Sequence, residues 1–239
     1  MGDLYSSDFE KYLSHTNEKA ILRDVLLNYI SDWGVGSVLD IGAGNGDLSV
    51  PLSENVGEYV AVEPKPNFVS MLKRKNINVI DKMFPCEVGG SYDLILCSHS
   101  VPYEKEDFEP FLQEAWKRVN DGGHLVMITY AGSKDDWNTL LERLEIDPFE
   151  DHIGRYLKRK QFLESLGFTD VRMVRTCLEC DNVYDMFEAL SFVAGGGIAE
   201  KKKPFLDKKN EVEKILKEEY CYDERFVFPF DHYFLIVRK

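Results

Sequence analysis

The sequence predicts an α/β protein built on one mostly parallel sheet with helices on both faces. Three observations predict it. Short β-rich apolar runs alternate with amphipathic helical segments from Ser37 onward, the order that a parallel sheet covered on both sides requires. The run Tyr92-Asp93-Leu94-Ile95-Leu96-Cys97 is nearly all apolar beyond Asp93, as a strand buried on both faces must be. Gly42, Gly44 and Gly46 follow directly on the first apolar run, at a strand-to-helix junction where such sheets hold ligands.

The elements follow in order. A helix over residues 17–30 places Ile21, Leu22, Val25, Leu26 and Tyr29 on one face, with Thr16 or Asn17 as its cap. Strand one spans Ser37–Ile41, and the helix beyond the glycine loop runs through Leu48 and Leu52. Strand two, residues 59–62, ends in Glu63-Pro64 and leads into a helix over 67–75. Strand three covers 77–80 and strand four 92–97. A helix over 107–119 gives way at Asn120-Asp121-Gly122-Gly123, where the chain is expected to reverse before strand five, 124–130. A helix containing Trp137, Leu140, Leu141 and Leu144 and a short one over 161–166 lead to strand six, 169–178. Tyr233-Phe234-Leu235-Ile236-Val237 forms the last strand. Before it lies an insertion of roughly forty residues, far beyond an ordinary loop. It holds an apolar helix over 186–193, the hinge-like Gly195-Gly196-Gly197 and a charged helix over 204–220, and is expected to cap the ligand site. There are no internal repeats.

At 239 residues, 44% hydrophobic and 13% aromatic, the chain suits one full α/β domain with a modest insertion. No run approaches the roughly 20 uncharged apolar residues of a membrane span. Met1-Gly2-Asp3-Leu4 is acidic rather than a basic signal region, so a cytoplasmic protein without a membrane partner is expected. The formal net charge of −13 would repel a phosphate backbone, which argues against a nucleic-acid partner. Lys201-Lys202-Lys203, with Lys208 and Lys209, is interleaved with Glu200, Asp207, Glu211 and Glu213 and reads as a solvated helix flank. Five cysteines, an odd number, imply reduced thiols. The Cys177/Cys180 pair sits in a strand-like run with no second ligand pair at zinc spacing, so no metal is expected.

Ligands of a parallel α/β sheet lie beyond the carboxyl ends of its strands, where the strand order reverses. Strand one, its loop and the end of strand two therefore form the site. Gly42, Gly44 and Gly46 let backbone approach a ligand with no Cβ between. Glu63, seventeen residues beyond Gly46, stands where an acid accepts hydrogen bonds from both hydroxyls of a ribose. The dinucleotide fingerprint is GxGxxG, with a pyrophosphate on the helix N-terminus. This sequence has GxGxG, and Asp47 takes the place of the third dinucleotide glycine. An acid there opposes a pyrophosphate, while Asp40, two residues before Gly42, favours a cationic group.

Leu39-Asp40-Ile41-Gly42-Ala43-Gly44-Asn45-Gly46 followed by Val60-Ala61-Val62-Glu63-Pro64, with Gly122-Gly123 before strand five, resembles the first two motifs of class I methyltransferases. The resemblance implies a Rossmann-like methyltransferase fold with a seven-stranded, mostly parallel sheet. Its last strand is antiparallel beside strand five, and a helical cap is inserted between strands six and seven. It implies S-adenosyl-L-methionine as cofactor, which carries an ammonium and a sulfonium but no phosphate. Asp40, Gly42, Gly44, Gly46, Glu63, Pro64, Cys97 and Ser98 are its expected contacts, with an adenine pocket at Asp81, Lys82 and Met83. Asp81 suits the exocyclic amine and reads equally as a solvated loop acid. The whole chain is then one domain: a helical cap (1–34), a cofactor-binding core (35–180), the helical insertion (181–224) and the last strand (225–239).

Methyl transfer is an in-line displacement, so such a protein aligns a nucleophile, excludes water and removes a proton. The segment after strand four reads Cys97-Ser98-His99-Ser100-Val101-Pro102-Tyr103. It lacks the Asn/Asp-Pro-Pro-aromatic motif of enzymes acting on base or glutamine amides, the Pro-Cys nucleophile of cytosine C5 enzymes, and the acidic pair that holds magnesium in catechol-type enzymes. These absences favour a small acceptor and a metal-independent reaction. Tyr12-Leu13-Ser14-His15-Thr16-Asn17-Glu18, Glu63-Pro64, Ser98-His99 and Gly132-Ser133 leading to Trp137 together resemble the histamine N-methyltransferase type. That likeness implies that Glu18 binds a cationic amine, that His99 stands where the family has glutamine, and that Trp137 and Tyr156 form an aromatic wall. Asp231 or His232 lies nearest the family's C-terminal asparagine. From chemistry alone His99 is either a general base or a hydrogen-bonding pocket residue. Glu18 is either an acceptor-binding acid or an ordinary first-turn carboxylate favoured by the helix dipole, and Tyr103 and Trp137 either line the pocket or belong to the core. The expected acceptor is an amine nitrogen, with oxygen as runner-up and a cofactor-binding module without turnover as the alternative.

Overall fold

The structure, a computed structural model, describes residues 11–102, 105–130, 135–146, 152–167, 169–195 and 199–239. Strands β1 (Ser37–Ile41), β2 (Glu58–Val62), β3 (Asn78–Ile80), β4 (Tyr92–Ser98) and β5 (Val119–Tyr130) pair in parallel in the order β3-β2-β1-β4-β5. β8 (Arg225–Arg238) lies antiparallel to β5, in register from His124↔Arg238 to Tyr130↔His232. β6 (Thr169–Cys180) pairs beyond it at the edge. A two-residue strand, β7 (Cys221–Tyr222), pairs with the start of β8, so the seven expected strands are joined by an eighth. The order reverses between β1 and β4, which directs a ligand to the carboxyl ends of these neighbours.

Alternation of side chains explains the layering. Val38, Leu94, Leu96, Val126, Ile128 and Phe234 bury on one face with Leu22, Val25, Leu26, Tyr29 and Ile30 of α1 (Glu18–Trp33). Their sequence neighbours Leu39, Ile95, Cys97, Leu125, Met127 and Leu235 bury on the other, with Phe108, Phe111, Leu112 and Ala115 of α4 (Lys105–Lys117) and Leu163 of α6 (His152–Leu166). Between these lie the short α2 (Ser49–Ser53) and α3 (Pro66–Arg74), whose Phe68, Val69 and Leu72 are buried.

The chain divides into two compact units. Lys19–Ala131, Gly154–Val174 and His232–Lys239 carry the double-faced sheet just described. The other consists of Met1–Glu18, Gly132–Ile153 and Arg175–Asp231. Its helices are α5 (Asp136–Arg143), α7 (Val183–Gly195), α8 (Ala199–Asp207) and α9 (Lys209–Glu219). Aromatic packing holds it: Phe187 stacks on Phe205 at 5.5 Å, and Trp137 lies 5.6 Å from Phe205 and 6.2 Å from Phe230. No described helix is long and apolar enough to cross a membrane.

Further elements differ from the sequence expectation. The segment Asn120-Asp121-Gly122-Gly123 is not a separate turn. It lies inside β5 at a register irregularity between Tyr92↔Val119 and Leu94↔His124, and Gly122 N–H donates to the Lys239 carbonyl at 3.0 Å. The charged helix is two helices broken at Lys208; Phe205, Val212 and Leu216 keep a helical period across the break, so the pattern could not reveal it. α6 begins at His152 rather than 161, because its early buried residue is Arg159 and not an apolar one. β8 begins at Arg225, with Phe226, Phe228 and Phe230 buried in alternation around Pro229, a residue that ordinarily argues against a strand.

Candidate active site

The glycine loop divides its labour. Gly42, Gly44 and Gly46 all take positive φ, at +81°, +59° and +84°, which L side chains adopt only under strain. A Cβ on Gly42 would stand 2.3 Å from Ser100 Cβ, and one on Gly46 would stand 2.8 Å from Leu72 Cδ2. A Cβ on Gly44 would meet nothing within 4 Å. Gly42 and Gly46 thus serve internal packing, and Gly44 is the position that leaves room for a ligand against the backbone.

Glu63 follows β2 and is buried. Its Oε2 accepts the Gly44 N–H at 2.9 Å and its Oε1 accepts the Lys65 N–H at 2.9 Å, so both oxygens are fixed by backbone. Each carboxylate oxygen carries a second lone pair, leaving acceptors for two neighbouring hydroxyls. Pro64 follows, half-buried. Asp40 is buried in β1, where Oδ2 accepts from Ser49 Oγ at 2.7 Å and from Tyr59 OH at 2.8 Å. Burial raises its pKa from the ordinary carboxylate value, against the lowering effect of those two hydroxyls and of Lys19. The exposed Asp47 accepts from Asn45 Nδ2 at 2.7 Å and from Lys75 Nζ at 3.3 Å, a closed polar turn. Asp81, Lys82 and Met83 are all exposed beyond β3, and Met83 is 71% exposed.

At the end of β4 the chain changes character. Cys97 is fully buried in the core on the α4 and α6 face, where burial pushes its thiol pKa up. Ser98 Oγ is buried and has no hydrogen-bond partner among the described residues, a polar atom that asks for a ligand or water. His99 is exposed and takes φ +53°, with its N–H on the Ile128 carbonyl at 3.0 Å. Its Nε2 lies 3.2 Å from Nδ1 of the fully buried His232, and its ring centroid 4.6 Å from that of Tyr130. Ser100 Oγ donates to the Ile41 carbonyl, tying this loop to the end of β1. The buried Arg159 donates to the Val101 carbonyl at 3.1 Å and the Pro102 carbonyl at 2.6 Å, fixing the next residues. Tyr103 lies outside the described residues, as do Gly132 and Ser133.

The remaining expected residues have defined surroundings. Glu18, the buried first residue of α1, accepts from Tyr12 OH at 3.2 Å, and its N–H donates to Thr16 Oγ1 at 3.1 Å. Asp231 is buried and receives both Arg175 Nε and Nη2, at 2.8 and 2.9 Å. Trp137 is buried in the aromatic cluster of its unit. Tyr156 is half-buried, 5.4 Å from the Tyr233 ring. Sequence reasoning missed Ser100 and Arg159 altogether. The one sequence signal for Ser100 is Gly42, whose absent Cβ marks a close neighbour.

The features suit a nucleoside-bearing ligand: a ribose-binding acid held rigidly, an open glycine, and an unsatisfied hydroxyl at the sheet's switch point. A family model described as a methyltransferase domain matches residues 11–172. Among solved structures, the chain resembles a SAM dependent methyltransferase from Archaeoglobus fulgidus, with 20% identity, TM-score 0.52, and 91% of this chain and 94% of that one covered. It resembles the magnesium protoporphyrin IX methyltransferase of Synechocystis PCC 6803 with bound SAH, with 16% identity, TM-score 0.51, and 65% and 75% covered. It also resembles the N-methyltransferase NodS from Bradyrhizobium japonicum, with 13% identity, TM-score 0.50, and 93% and 97% covered. At these identities the likeness is one of fold. No curated protein matches the chain.

Proposed function

The chain belongs to the methyltransferase domain family, and on that premise we propose that it transfers the methyl group of S-adenosylmethionine to an amine nitrogen of a small molecule. The observation that carries the donor half is Glu63, pinned by two backbone N–H groups beside the open Gly44. Glu63 would hold the ribose hydroxyls, and Pro64 directs the chain away from them. Asp40 would favour the ammonium end, and Ser98 Oγ would bond the amino-acid portion. Asp81, with Lys82 and Met83, borders the adenine. Cys97 forms the floor of this end of β4. When bound, the cofactor supplies a methyl carbon made electrophilic by its sulfonium.

The acceptor half rests on His99, which follows β4 directly. His99 takes the proton that the reacting nitrogen must lose, and Glu18 meets a cationic amino group of the acceptor other than that nitrogen. Tyr103 and Tyr156 are assigned to the apolar part of the acceptor, and Asp231 acts through its hold on Arg175. The reaction needs no metal, because a neutral amine is already a nucleophile and a nearby imidazole suffices as proton acceptor.

Thermal shift with S-adenosylmethionine, its demethylated product and NAD tests the donor, and stabilisation by the two sulfur ligands alone is expected. A shift with NAD and neither sulfur ligand would sink the proposal. Labelled methyl transfer to biogenic amines, phenols and thiols tests the acceptor. Inert amines beside reactive phenols would convert the reading to an O-methyltransferase, and inertness of all three classes to a binding module. His99→Ala and Glu18→Ala should each cut turnover about 100-fold while cofactor affinity stays within about threefold; equal loss of cofactor affinity in both would refute this division of the site.

A further inference from the structure

Glu18, His99 and His232 form a cluster whose donor atoms suit more than proton transfer. One nitrogen of each ring and one carboxylate oxygen all lie within 4.8 Å of one another. Two of these residues, Glu18 and His232, are buried, and His99 is exposed. Glu18 opens α1, which from Lys19 onward belongs to the sheet unit. His99 follows β4, and His232 lies in β8 at the register position opposite Tyr130. None of the five cysteines belongs to the cluster.

We propose that these three residues bind one divalent zinc-type cation, and that the bound ion shuts the acceptor side while leaving the donor side intact. Two imidazoles and a carboxylate are a donor set that Zn²⁺ takes, with bonds of about 2.0–2.2 Å. Ligand atoms of a tetrahedral ion with such bonds stand about 3.3 Å apart, and His99 Nε2 and His232 Nδ1 stand 3.2 Å apart. Without an ion a hydrogen bond spans that distance; with one, both nitrogens turn lone pairs to it. The Glu18 oxygen closes the remaining gap by rotation of its side chain. Tyr12 OH donates to Glu18 Oε2 at 3.2 Å, the kind of outer hydrogen bond that aims a ligand carboxylate. Tyr130 packs against both imidazoles, at centroid distances of 4.6 and 5.0 Å, and holds the pair together. Three protein ligands leave a fourth position for water, on the side where His99 is exposed. The effect on the reaction rests on the reading of His99 as proton acceptor. A neutral imidazole has one bare nitrogen, so a ring that ligates an ion has no lone pair left for a proton. The ion also takes the carboxylate charge that would meet a cationic amino group. Glu63, Gly44 and Asp40 are not among the ligands, so cofactor binding persists.

The first test does not need turnover. Calorimetric titration of the full-length protein with ZnCl₂ should find one tightly held ion per chain. His99→Ala and His232→Gln should each weaken it at least about 100-fold, and Tyr12→Phe about tenfold. Cys221→Ser, which removes the exposed thiol, should leave the affinity unchanged. CoCl₂ bound to the unaltered protein should give the visible bands of a four- or five-coordinate ion with no thiolate charge-transfer band, a readout that needs no variant to fold. Absence of binding, thiolate ligation, or affinity retained in His99→Ala would overturn the site. With whichever amine of the panel turns over, ZnCl₂ should abolish turnover, EDTA should restore it, and the affinity for S-adenosylhomocysteine should hold. Undiminished turnover with the site filled would overturn the inhibitory role. Zinc bound as expected beside inert amines would instead defeat the acceptor reading and leave the metal site standing.

Discussion

The two halves of the site at the end of the parallel strands are held by different means. On the donor side, the groups that matter are fixed by backbone: Gly44 and Lys65 N–H on Glu63, and glycines whose conformation is set by positive φ. On the acceptor side they are fixed by distant side chains: His232 on His99, Ser100 on the end of β1, and Arg159 on the carbonyls of Val101 and Pro102. The difference suits what each side binds. A cofactor common to a family is recognised by a cradle that backbone can supply, whatever the neighbouring side chains are. An acceptor that varies is recognised by side chains that can be exchanged without unmaking the strand ends.

The largest effect should come from a place where the two halves touch. Gly42→Ala adds a methyl group 2.3 Å from Ser100 Cβ at φ +81°, combining backbone strain with overpacking, together about 3 kcal/mol. For a chain of this size that lowers Tm by about 10 °C, with loss of cofactor affinity and turnover together. Gly44→Ala meets no protein atom within 4 Å and should cost only about 1 kcal/mol of stability while weakening S-adenosylmethionine binding by more than about tenfold. Adding Ser100→Gly to Gly42→Ala removes the overlapping atom and should recover part of the lost Tm. Equal Tm losses in the two single variants would erase the distinction between the packing glycine and the ligand glycine.

Next in size is Glu63. Glu63→Ala should weaken the cofactor about 100-fold, because two charge-assisted hydrogen bonds to the ribose are lost. Glu63→Gln is the sharper variant. Each carboxylate oxygen already accepts a backbone N–H, so an amide must set its NH₂ against one of those donors. We expect calorimetry to find Gln weakening the cofactor at least about tenfold, despite its matching shape. Unchanged affinity in Gln would mean that the donor side does not depend on the backbone clamp.

The contrast also explains what was legible in the sequence. The donor side was readable because its parts are local: Asp40, Gly42, Gly44 and Gly46 lie within seven residues at the end of β1, and Glu63 follows the adjacent strand. The alternating layers were readable because Val38 and Leu39 bury on opposite faces, as a strand between helices demands. Beyond β5 the signals fail for physical reasons. Arg159 anchors α6 through hydrogen bonds that an apolar periodicity cannot display, and the break at Lys208 preserves the helical period on both sides. The partner of His99 lies 133 residues away and is revealed only by the antiparallel pairing of β5 with β8.

The smallest expected effect separates charge from architecture at Asp40. Burial raises the folded pKa of this carboxyl above its value of 3.8 in the open chain, although Ser49 and Tyr59 donate to it. A group whose folded pKa is raised favours folding while protonated. Its contribution is present below 3.8 and is lost as pH rises through the folded value, above which the ionised acid opposes folding. Asp40→Asn is neutral at every pH, and its side-chain oxygen can accept from both hydroxyls that now meet Oδ2. Tm at pH 7 should therefore hold or rise by a few degrees, and the fall in stability as pH rises above 3.8 should flatten. S-adenosylmethionine affinity should fall about tenfold, since the carboxylate's attraction for the ammonium is gone. A Tm that drops while cofactor affinity is retained would make Asp40 a structural acid, and the preference for a cationic ligand would then have to come from elsewhere on the donor side.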